Sequence, residues 1–240
     1  MQKIKSKKIL IIIFILILLN LSLIYIKGNT LEYSEREKYL ISLYKGKKLL
    51  VLTFDDGPSK YTNKLLDVLK EYNVHATFFI LGEQAEKYSD SLKKEYEDGN
   101  LICIHSYTHN FFTKIPNKDV VEQIDKTRSV IQKLTEYTPK YIRVPYGIIN
   151  DNVENILKEE KLENVLWTVD SLDWKYKEKN ATVEHIKKTT SGNDIILMHD
   201  ILQSSIDAAQ EIIIYYKNLG YEFVTIEEFT NIKNIIKDEN

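Results

Sequence analysis

Two adjacent carboxylates and two histidines have the residue types and the spacing that metal chemistry requires. Asp55 and Asp56 follow the apolar run Leu49–Phe54, and a Gly-Pro turn comes directly after them. His105 and His109 lie about fifty residues further along the chain. Imidazole and carboxylate groups are the usual ligands of catalytic zinc sites, which keep one coordination position open. The four residues therefore predict a metal site with a free base beside it.

The spacing of the two histidines indicates how they would bind one ion. His105 and His109 are four residues apart, so a helical turn would project both imidazoles from the same side. Asp56 completes a His-His-carboxylate set, and Asp55 remains available to accept a proton from water. Calcium and magnesium prefer oxygen ligands, so this set favours one divalent transition metal: zinc, with cobalt or nickel as alternatives.

Short apolar runs alternate with segments of helical periodicity from residue 49 onwards. The predicted strands are Leu49–Phe54, Ala76–Leu81, Leu101–Ile104, Tyr141–Val144, Val165–Val169, Ile195–Met198 and Tyr221–Thr225. The predicted helices are Thr62–Tyr72, Asn117–Leu134, Asp151–Glu160, Thr182–Thr190 and Ser205–Leu219, with caps near Asn150, Thr182 and Ser204. This alternation predicts an α/β fold of parallel strands, either closed into a barrel or arranged as an open sheet.

The residues that could do chemistry stand where these strands end. They are Asp55, Asp56, His105, His109, Arg143, Tyr146, Asp170, Asp173, His199 and Asp200. In a barrel of parallel strands these ends lie on one face, where active sites form. Two other residues receive structural interpretations: Trp167 lies within an apolar run and is predicted to be core, and Cys103 is predicted to be a buried, inert thiol.

Five segments in this order resemble the motifs of the polysaccharide deacetylases, the NodB-homology carbohydrate esterases of family 4. The segments are Thr53–Pro58, His105–His109, Arg143–Gly147, Asp170–Trp174 and Ile196–Asp200. The resemblance extends from about residue 48 to residue 229. It implies a distorted (β/α) barrel of about seven parallel strands and the hydrolysis of an N-acetyl, occasionally O-acetyl, group on a glycan.

The resemblance implies a role for each residue around the metal. Asp56, His105 and His109 correspond to the metal ligands, and Asp55 corresponds to the general base. Arg143 would hold that base in place as its ion-pair partner. This assignment agrees with the chemistry of amide hydrolysis, because a zinc ion lowers the pKa of water towards neutrality and a nearby carboxylate can take the proton.

The resemblance also implies the groups that would act on the other side of the scissile bond. Tyr146 would help to hold the oxyanion through its backbone N–H, and Asp173 would orient and tune His199 as the general acid. An amine leaves slowly unless it is protonated, and a histidine beside a carboxylate can supply that proton near neutral pH. The residues expected to line the substrate groove are Trp174, Leu197 and Pro145.

Composition and the N-terminal segment indicate where the protein works. The formal net charge of −2 over 240 residues gives no basic field for nucleic acid. Residues 1–8 are lysine-rich, residues 9–26 are predicted as a transmembrane signal anchor, and residues 27–47 as a stem. Residues 48–240 would form the catalytic domain. We expect a monomer on the outer face of a bacterial cytoplasmic membrane, held by one membrane span, or a secreted protein if the segment is cleaved.

The expected reaction is the metal-dependent release of acetate from a cell-surface polysaccharide, with N-acetylglucosamine in peptidoglycan as the favoured substrate. Chitooligosaccharide, poly-N-acetylglucosamine and acetylated xylan remain alternatives. Two other functions also stay open: a non-catalytic glycan-binding module on the same fold, and an amidase that acts on small acetylated amines other than sugars.

Overall fold

One curled sheet of parallel strands organises the computed structural model, which describes residues 43–44 and 46–238, with side chains described as far as residue 233. The strands are β1 (Lys48–Asp55), β2 (Thr77–Leu81), β3 (Leu101–Ser106), β4 (Tyr141–Ile142), β5 (Glu163–Asn164), β6 (Val169–Asp170), β7 (Asp194–His199) and β8 (Tyr221–Phe223). The helices are α1 (Thr62–Glu71), α2 (Gly82–Lys87), α3 (Ser89–Glu97), α4 (Asn117–Thr135), α5 (Asp151–Glu159), α6 (Asp173–Tyr176), α7 (Lys179–Thr189), α8 (Gln203–Asn218) and α9 (Ile226–Asp238). Short 3₁₀ turns cover Phe112–Lys114 and Pro145–Gly147.

The strand order explains how the sheet curls. The order is β5-β4-β3-β2-β1-β7-β6, and β8 pairs with the first residues of β1. The two outer strands, β5 and β6, are consecutive in the chain, yet no ladder joins them within the part that the structure describes. Residues 165–168 connect these two strands instead. The result is a half-barrel, and every strand pair in it is parallel.

Strand β1 is the centre of the core. Every residue of β1 after Lys48 is buried, as expected for a parallel strand that is covered on both faces. Phe54 packs against Phe78 of β2 with ring centroids 5.5 Å apart. Residues 46–230 form one compact unit around this strand. The C-terminal end of β1 is paired with β2 on one edge and β7 on the other, which makes it a rigid support for Asp55.

The predicted parallel α/β architecture is confirmed, but its closure into a barrel is not, because the sheet remains a half-barrel. The predicted strand Val165–Val169 was wrong over most of its length, since only Val169–Asp170 pairs with β7. The residues that pair with β4 are the polar Glu163 and Asn164, which carry no apolar pattern. The unassigned segment between β2 and β3 forms the helices α2 and α3.

Of the three predicted helix caps, one is confirmed and two are not. Asn150 caps α5 as predicted, because its side chain accepts a hydrogen bond from the Val153 N–H at 3.0 Å. The cap predicted near Thr182 was wrong: the Glu178 carboxylate caps α7 instead. Ser204 lies inside α8, which begins at Gln203 without a side-chain cap.

The predicted membrane anchor at residues 9–26 and most of the stem at 27–47 lie outside the described residues. Among the helices that the structure describes, none has both the length and the apolar character that crossing a membrane requires. The prediction for Cys103 is confirmed, because this thiol is fully buried in β3 and burial raises its pKa well above the ordinary value.

Candidate active site

A cleft of about 350 Å³ opens at the C-terminal ends of the strands. Its lining residues are Asp55, Asp56, His105, His109, Tyr146, Trp167, Asp170, Trp174, Leu197 and His199. Parallel pairing brings the strand ends together: Asp55 at the end of β1 lies beside His199 at the end of β7. The topology thus gathers side chains that are up to about 140 residues apart in the chain.

Asp56, His105 and His109 form a group, here the Asp56 cluster, that could hold a metal ion. One ligand atom from each residue lies within 4.8 Å of the others. The Asp56 Oδ1 atom is 3.5 Å from His105 Nε2 and 3.4 Å from His109 Nε2. That oxygen is buried and has no hydrogen-bond partner among the described residues. Because buried polar atoms rarely remain unpaired, this orphaned acceptor fits a bound cation.

The two histidines do not share a helical turn, so that prediction was wrong. His105 lies within β3, and His109 lies in the bend that follows it, with a left-handed backbone at φ 60°. The His109 N–H donates to the Ser106 Oγ at 2.9 Å, which stabilises the bend. The bend brings the two imidazoles to a centroid distance of 4.9 Å. A strand followed by a reversed bend therefore does what a helical turn was expected to do.

A hydrogen bond fixes the tautomer of His105. Its Nδ1 atom lies 2.6 Å from the backbone carbonyl oxygen of Arg143, which can only accept, so Nδ1 carries the proton. The Nε2 lone pair consequently points towards Asp56. Burial lowers the pKa of His105 from 6.5 to about 3, although the nearby Asp56 carboxylate opposes this shift. The imidazole is thus neutral at physiological pH, which is the form that binds metals.

A buried ion pair orients Asp55. The Arg143 Nη1 atom donates to Asp55 Oδ1 at 2.7 Å and to Thr53 Oγ1 at 2.8 Å. Burial raises the pKa of Asp55, and the guanidinium acts in the opposite direction. The other carboxylate oxygen, Oδ2, is 3.9 Å from His105 Nε2. Loss of either partner of such a pair leaves an uncompensated buried charge, which typically costs about 3–5 kcal/mol.

Arg143 also stabilises the open side of the half-barrel. Its Nε donates to the Val165 carbonyl at 3.0 Å and its Nη2 contacts the Leu166 carbonyl at 3.4 Å. These carbonyls belong to the segment that connects β5 to β6. The guanidinium lies 4.1 Å from the centroid of the Phe79 ring. Only the planar, five-donor guanidinium can serve all these acceptors at once, so a lysine at this position would not replace it.

A second group, here the Asp173 cluster, is built at the ends of β6 and β7, and its His199 lines the same cleft. The Asp173 carboxylate accepts from His199 Nδ1 at 2.8 Å, from the His199 backbone N–H at 2.8 Å and from Ser205 Oγ at 2.6 Å. It also accepts from the Trp174 N–H at 2.8 Å. Because Nδ1 faces the carboxylate, the Nε2 atom of His199 is directed away from it and is the nitrogen that can serve the cleft.

The Asp173 cluster favours a charged imidazole. Burial lowers the pKa of His199, but the hydrogen bond and charge of Asp173 outweigh it and raise this pKa from 6.5 to about 9. For Asp173, burial acts to raise the pKa of the carboxyl group. The hydrogen bonds that it accepts from His199 and Ser205 outweigh burial, so the pKa of Asp173 is lower than its ordinary value. The pair is therefore an ion pair at neutral pH, with the proton held on His199.

The remaining predicted residues differ in their exposure. Tyr146 has a left-handed backbone at φ 63° and is 48% exposed at the cleft mouth. Trp174 is 49% exposed, and Leu197 is nearly buried but still lines the cleft. Pro145 departs from the expectation for a groove residue: it is buried at the start of its 3₁₀ turn and is not among the lining residues.

Sequence reasoning missed one wall of the cleft. Trp167 was predicted to be core, but it is only partly buried and lines the cleft, with its ring close to Gly147. The apolar run around Trp167 was misleading because it suggested a buried strand, whereas residues 165–168 form the irregular connection between β5 and β6. Asp170 lines the cleft as well, and its side chain accepts from the Leu172 N–H at 2.9 Å.

Asp200 supports the site from behind. Its carboxylate is buried, accepts a hydrogen bond from Thr62 Oγ1 and packs against the backbone of Gly57, where a side chain would collide with it. The Asp200 carbonyl accepts from Ser59 Oγ at 2.6 Å. Burial raises the pKa of Asp200 to about 7. These contacts join the end of β7 to the loop that follows Asp56.

Comparisons with known proteins point to one family. A sequence model of the family described as polysaccharide deacetylase matches residues 43–165. The peptidoglycan-N-acetylmuramic acid deacetylase PdaC of Bacillus subtilis is 36% identical over 212 residues, which are 85% of this chain and 45% of that protein. A peptidoglycan-N-acetylglucosamine deacetylase of Bacillus cereus is 37% identical over 208 residues, which are 83% of this chain and 75% of that protein.

A solved structure gives the same result. The structure of the peptidoglycan deacetylase PdaC from Bacillus subtilis matches with a TM-score of 0.77 and 37% sequence identity, and the match covers 81% of this chain and 95% of that chain. The chain spans less than half the length of the Bacillus subtilis protein and about three quarters of the Bacillus cereus protein. By the family match and by these identities, the chain belongs to the polysaccharide deacetylase family.

Proposed function

We propose that this protein removes N-acetyl groups from a cell-surface polysaccharide by metal-dependent hydrolysis and releases acetate. N-Acetylglucosamine residues of peptidoglycan are the favoured substrate. The observation that carries the proposal is the pairing of the Asp56 cluster with the Asp173 cluster across one cleft. One cluster has a cation-binding donor set with the carboxylate Asp55 beside it, and the other holds a protonated imidazole.

The residues of the Asp56 cluster fit a divalent transition metal. Two imidazoles and one carboxylate are borderline ligands that suit zinc, cobalt or nickel, and the buried Asp56 Oδ1 atom has no hydrogen-bond partner within the described part of the chain. A metal held by these three residues would supply Lewis-acid polarisation of the acetyl carbonyl and a lowered pKa for water. His105 is already prepared for this role, because the Arg143 carbonyl fixes its tautomer and burial keeps it neutral.

Asp55 is the proposed general base. Arg143 occupies its Oδ1 atom and fixes the carboxylate plane, so that Oδ2 is left to accept a proton from the attacking water. The ion pair serves a second purpose, since it opposes the rise in pKa that burial causes and so favours the ionised carboxylate that a base requires.

His199 is the proposed general acid. Its charged imidazole can donate the Nε2 proton to the leaving amine, while Asp173 holds the ring in place and stabilises the positive charge. The backbone N–H of Tyr146 is the proposed donor to the oxyanion that forms on the acetyl carbonyl. Base and acid are thus different residues, held at the ends of the neighbouring strands β1 and β7 in one cleft.

Exposed aromatic rings support a sugar substrate. Tyr146 and Trp174 are each about half exposed at the rim of the cleft, and the ring of Trp167 lines it further in. The C–H face of a pyranose packs well against such rings, which supply large contact areas at a low entropic cost. The names of the relatives divide between N-acetylglucosamine and N-acetylmuramic acid of peptidoglycan, so both sugars belong in the test.

The proposal for location rests on the N-terminal sequence alone. Residues 9–26 form an apolar run behind four lysines, which favours an uncleaved anchor with the lysines in the cytoplasm. The catalytic domain would then face the cell wall, within reach of peptidoglycan. Protease treatment of protoplasts, whose membrane is intact but whose wall has been removed, tests this arrangement. The catalytic domain should be digested while the N-terminal residues stay protected.

Acetate release by the full-length chain, purified in mild detergent, tests the function. The substrates are peptidoglycan, N-acetylglucosamine oligomers, acetylated xylan and a small acetylated amine, each with chelator and with added zinc. We expect zinc-dependent release from peptidoglycan and from the oligomers, and none from the small amine. Analysis of the digested muropeptides then identifies which amino sugar has lost its acetyl group.

The same experiment distinguishes the alternatives. Glycan binding that survives both the chelator and Asp55→Asn, without acetate release, would support a binding module and contradict hydrolysis. Release from the small amine but not from oligosaccharides would favour an amidase of non-sugar substrates. Release from muramic acid alone would keep the reaction and change the sugar.

A further inference from the structure

A stack of aromatic rings joins two loops at the mouth of the cleft. The rings of Phe111 and Tyr146 lie almost parallel, with centroids 3.6 Å apart and 7° between their planes. Tyr146 also contacts His109 in an edge arrangement, at a centroid distance of 4.5 Å and an angle of 66°. The Lys114 Nζ atom lies 4.1 Å from the centroid of the Phe111 ring. Phe111 and His109 follow β3, whereas Tyr146 follows β4, so the contact bridges separate segments.

The residues at the centre of this stack have strained backbones. His109 and Tyr146 both have left-handed φ values, at 60° and 63°, although neither is glycine, asparagine or aspartate. Residues with side chains adopt this conformation at a cost in free energy, and they keep it where surrounding contacts determine it. The edge contact between the His109 and Tyr146 rings connects these two positions, and the Phe111 ring stacks on the Tyr146 end of that contact.

The two histidines of the Asp56 cluster are held differently. The Nδ1 atom of His105 donates to the Arg143 carbonyl at 2.6 Å. Among the described residues, no hydrogen bond to the His109 ring is found, and the ring instead contacts Tyr146. Histidines that bind metals almost always have their second nitrogen oriented by a hydrogen bond. In the part of the chain that the structure describes, the ring of Tyr146 is the side chain in position to orient the His109 imidazole by contact.

We propose that Phe111 is a positioning residue for the metal site. Its stacked ring fixes the ring of Tyr146, and Tyr146 in turn fixes the His109 imidazole and keeps its own backbone in the conformation that faces the cleft. The inference rests on the proposed function, in that His109 is taken as a metal ligand. A ring pair that merely covers apolar surface would contribute to stability and leave metal binding unchanged.

Zinc titration calorimetry on the full-length chain tests the proposal without depending on any substrate. We expect Phe111→Ala to weaken zinc binding about tenfold to 100-fold, the usual effect of removing a group that orients a metal ligand. Phe111→Tyr keeps the stacked ring and should restore an affinity close to that of the wild type. Tyr96→Ala is the matched control, since Tyr96 stacks on Tyr137 away from the cleft, and it should leave zinc affinity unchanged.

A double-mutant cycle tests whether Phe111 acts through Tyr146. If it does, Phe111→Ala should add little to the loss already caused by Tyr146→Ala, because the two rings act as one unit. Fully additive losses would overturn the proposal, since Phe111 would then act by another route. Wild-type zinc affinity in Phe111→Ala would overturn it directly, and so would the absence of zinc binding in the wild type.

Misfolding of the Phe111 variant and failure of the proposed function can each be distinguished from failure of this proposal. If Phe111→Ala fails to fold by circular dichroism, Phe111→Leu replaces it: leucine keeps apolar volume but has no planar face, and the same loss of zinc affinity is expected. If the wild type binds zinc but releases no acetate from any glycan, the proposed function fails. The calorimetric comparison would still decide the role of Phe111.

Discussion

Two clusters of aspartate and histidine face the same cleft and differ in how many protein groups satisfy their carboxylates. The Asp173 carboxylate accepts four hydrogen bonds from His199, Ser205 and Trp174. The Asp56 Oδ1 atom accepts none among the described residues, although two imidazole nitrogens lie within 3.5 Å of it. Protein donors satisfy the hydrogen-bonding capacity of the Asp173 carboxylate, whereas Asp56 Oδ1 is positioned as a metal ligand would be.

The pKa values of the two histidines differ in line with the carboxylates beside them. Burial lowers the pKa of His105 to about 3, and Asp56 opposes this only in part. Burial also lowers the pKa of His199, but the direct hydrogen bond that its Nδ1 donates to Asp173, together with the charge of that carboxylate, raises this pKa to about 9. The same two residue types thus give one neutral imidazole, the form that can bind a metal, and one charged imidazole, the form that can donate a proton. The deciding factor is a direct bond between the histidine and the carboxylate.

Breaking the Asp56 cluster should have the largest effect. His105→Ala removes a proposed metal ligand, so we expect zinc binding to disappear in calorimetry and acetate release to fall to background. The Asp173 cluster should be untouched, and the imidazole of His199 should still titrate near pH 9 in an NMR experiment. Zinc bound with the affinity of the wild type would show that the cluster does not hold the metal.

Removing Asp55, the proposed base, sharpens the comparison, because it separates metal binding from turnover. Asp55→Asn keeps the shape of the side chain but cannot accept a proton, so we expect kcat to fall by about 10²–10⁴-fold while zinc affinity is retained. Asp67→Asn is the matched control, since Asp67 is an exposed carboxylate paired with Lys94 on the surface. Turnover in Asp55→Asn equal to that of this control would exclude Asp55 as the base.

Breaking the Asp173 cluster should have a smaller effect on rate but a clear effect on pH dependence. His199 must carry its proton to act as an acid, and with a pKa of about 9 it does so up to that pH. Asp173→Asn removes the charge that raises this pKa. We expect kcat to fall by roughly 10²-fold and the alkaline limb of the pH–rate profile to move from near 9 towards 6.5. An unmoved alkaline limb would mean that it belongs to another group.

The smallest predicted effect concerns stability. The pKa of His199 is about 9 in the folded protein and 6.5 in an unfolded chain, so its contribution is fully present below pH 6.5 and is lost as the pH rises through 9. The thermal midpoint, measured with chelator, should therefore fall more between pH 7 and 10 in the wild type than in His199→Gln. Equal falls in both proteins would contradict the assigned pKa.

Much of the fold could be predicted because parallel buried strands leave a strong apolar pattern. Leu49–Phe54 and Ile195–Met198 were visible for that reason, and they became β1 and β7. The short strand Glu163–Asn164 could not be found, because it is held by backbone bonds to β4 and carries no pattern of its own. Trp167 was misassigned for a related reason, since an apolar run does not reveal which of its residues face a cleft.

The sequence by itself determined the chemical inventory of this protein: which carboxylates and imidazoles stand at strand ends, in which order, and the family they indicate. These are properties of residue type and spacing, which can be read directly from the sequence. Only the tertiary structure decided how His105 and His109 meet, that Arg143 spans the open side of the sheet, and that one histidine is neutral and the other charged. Those outcomes depend on burial and on hydrogen bonds between residues far apart in the chain, and neither can be read from local patterns.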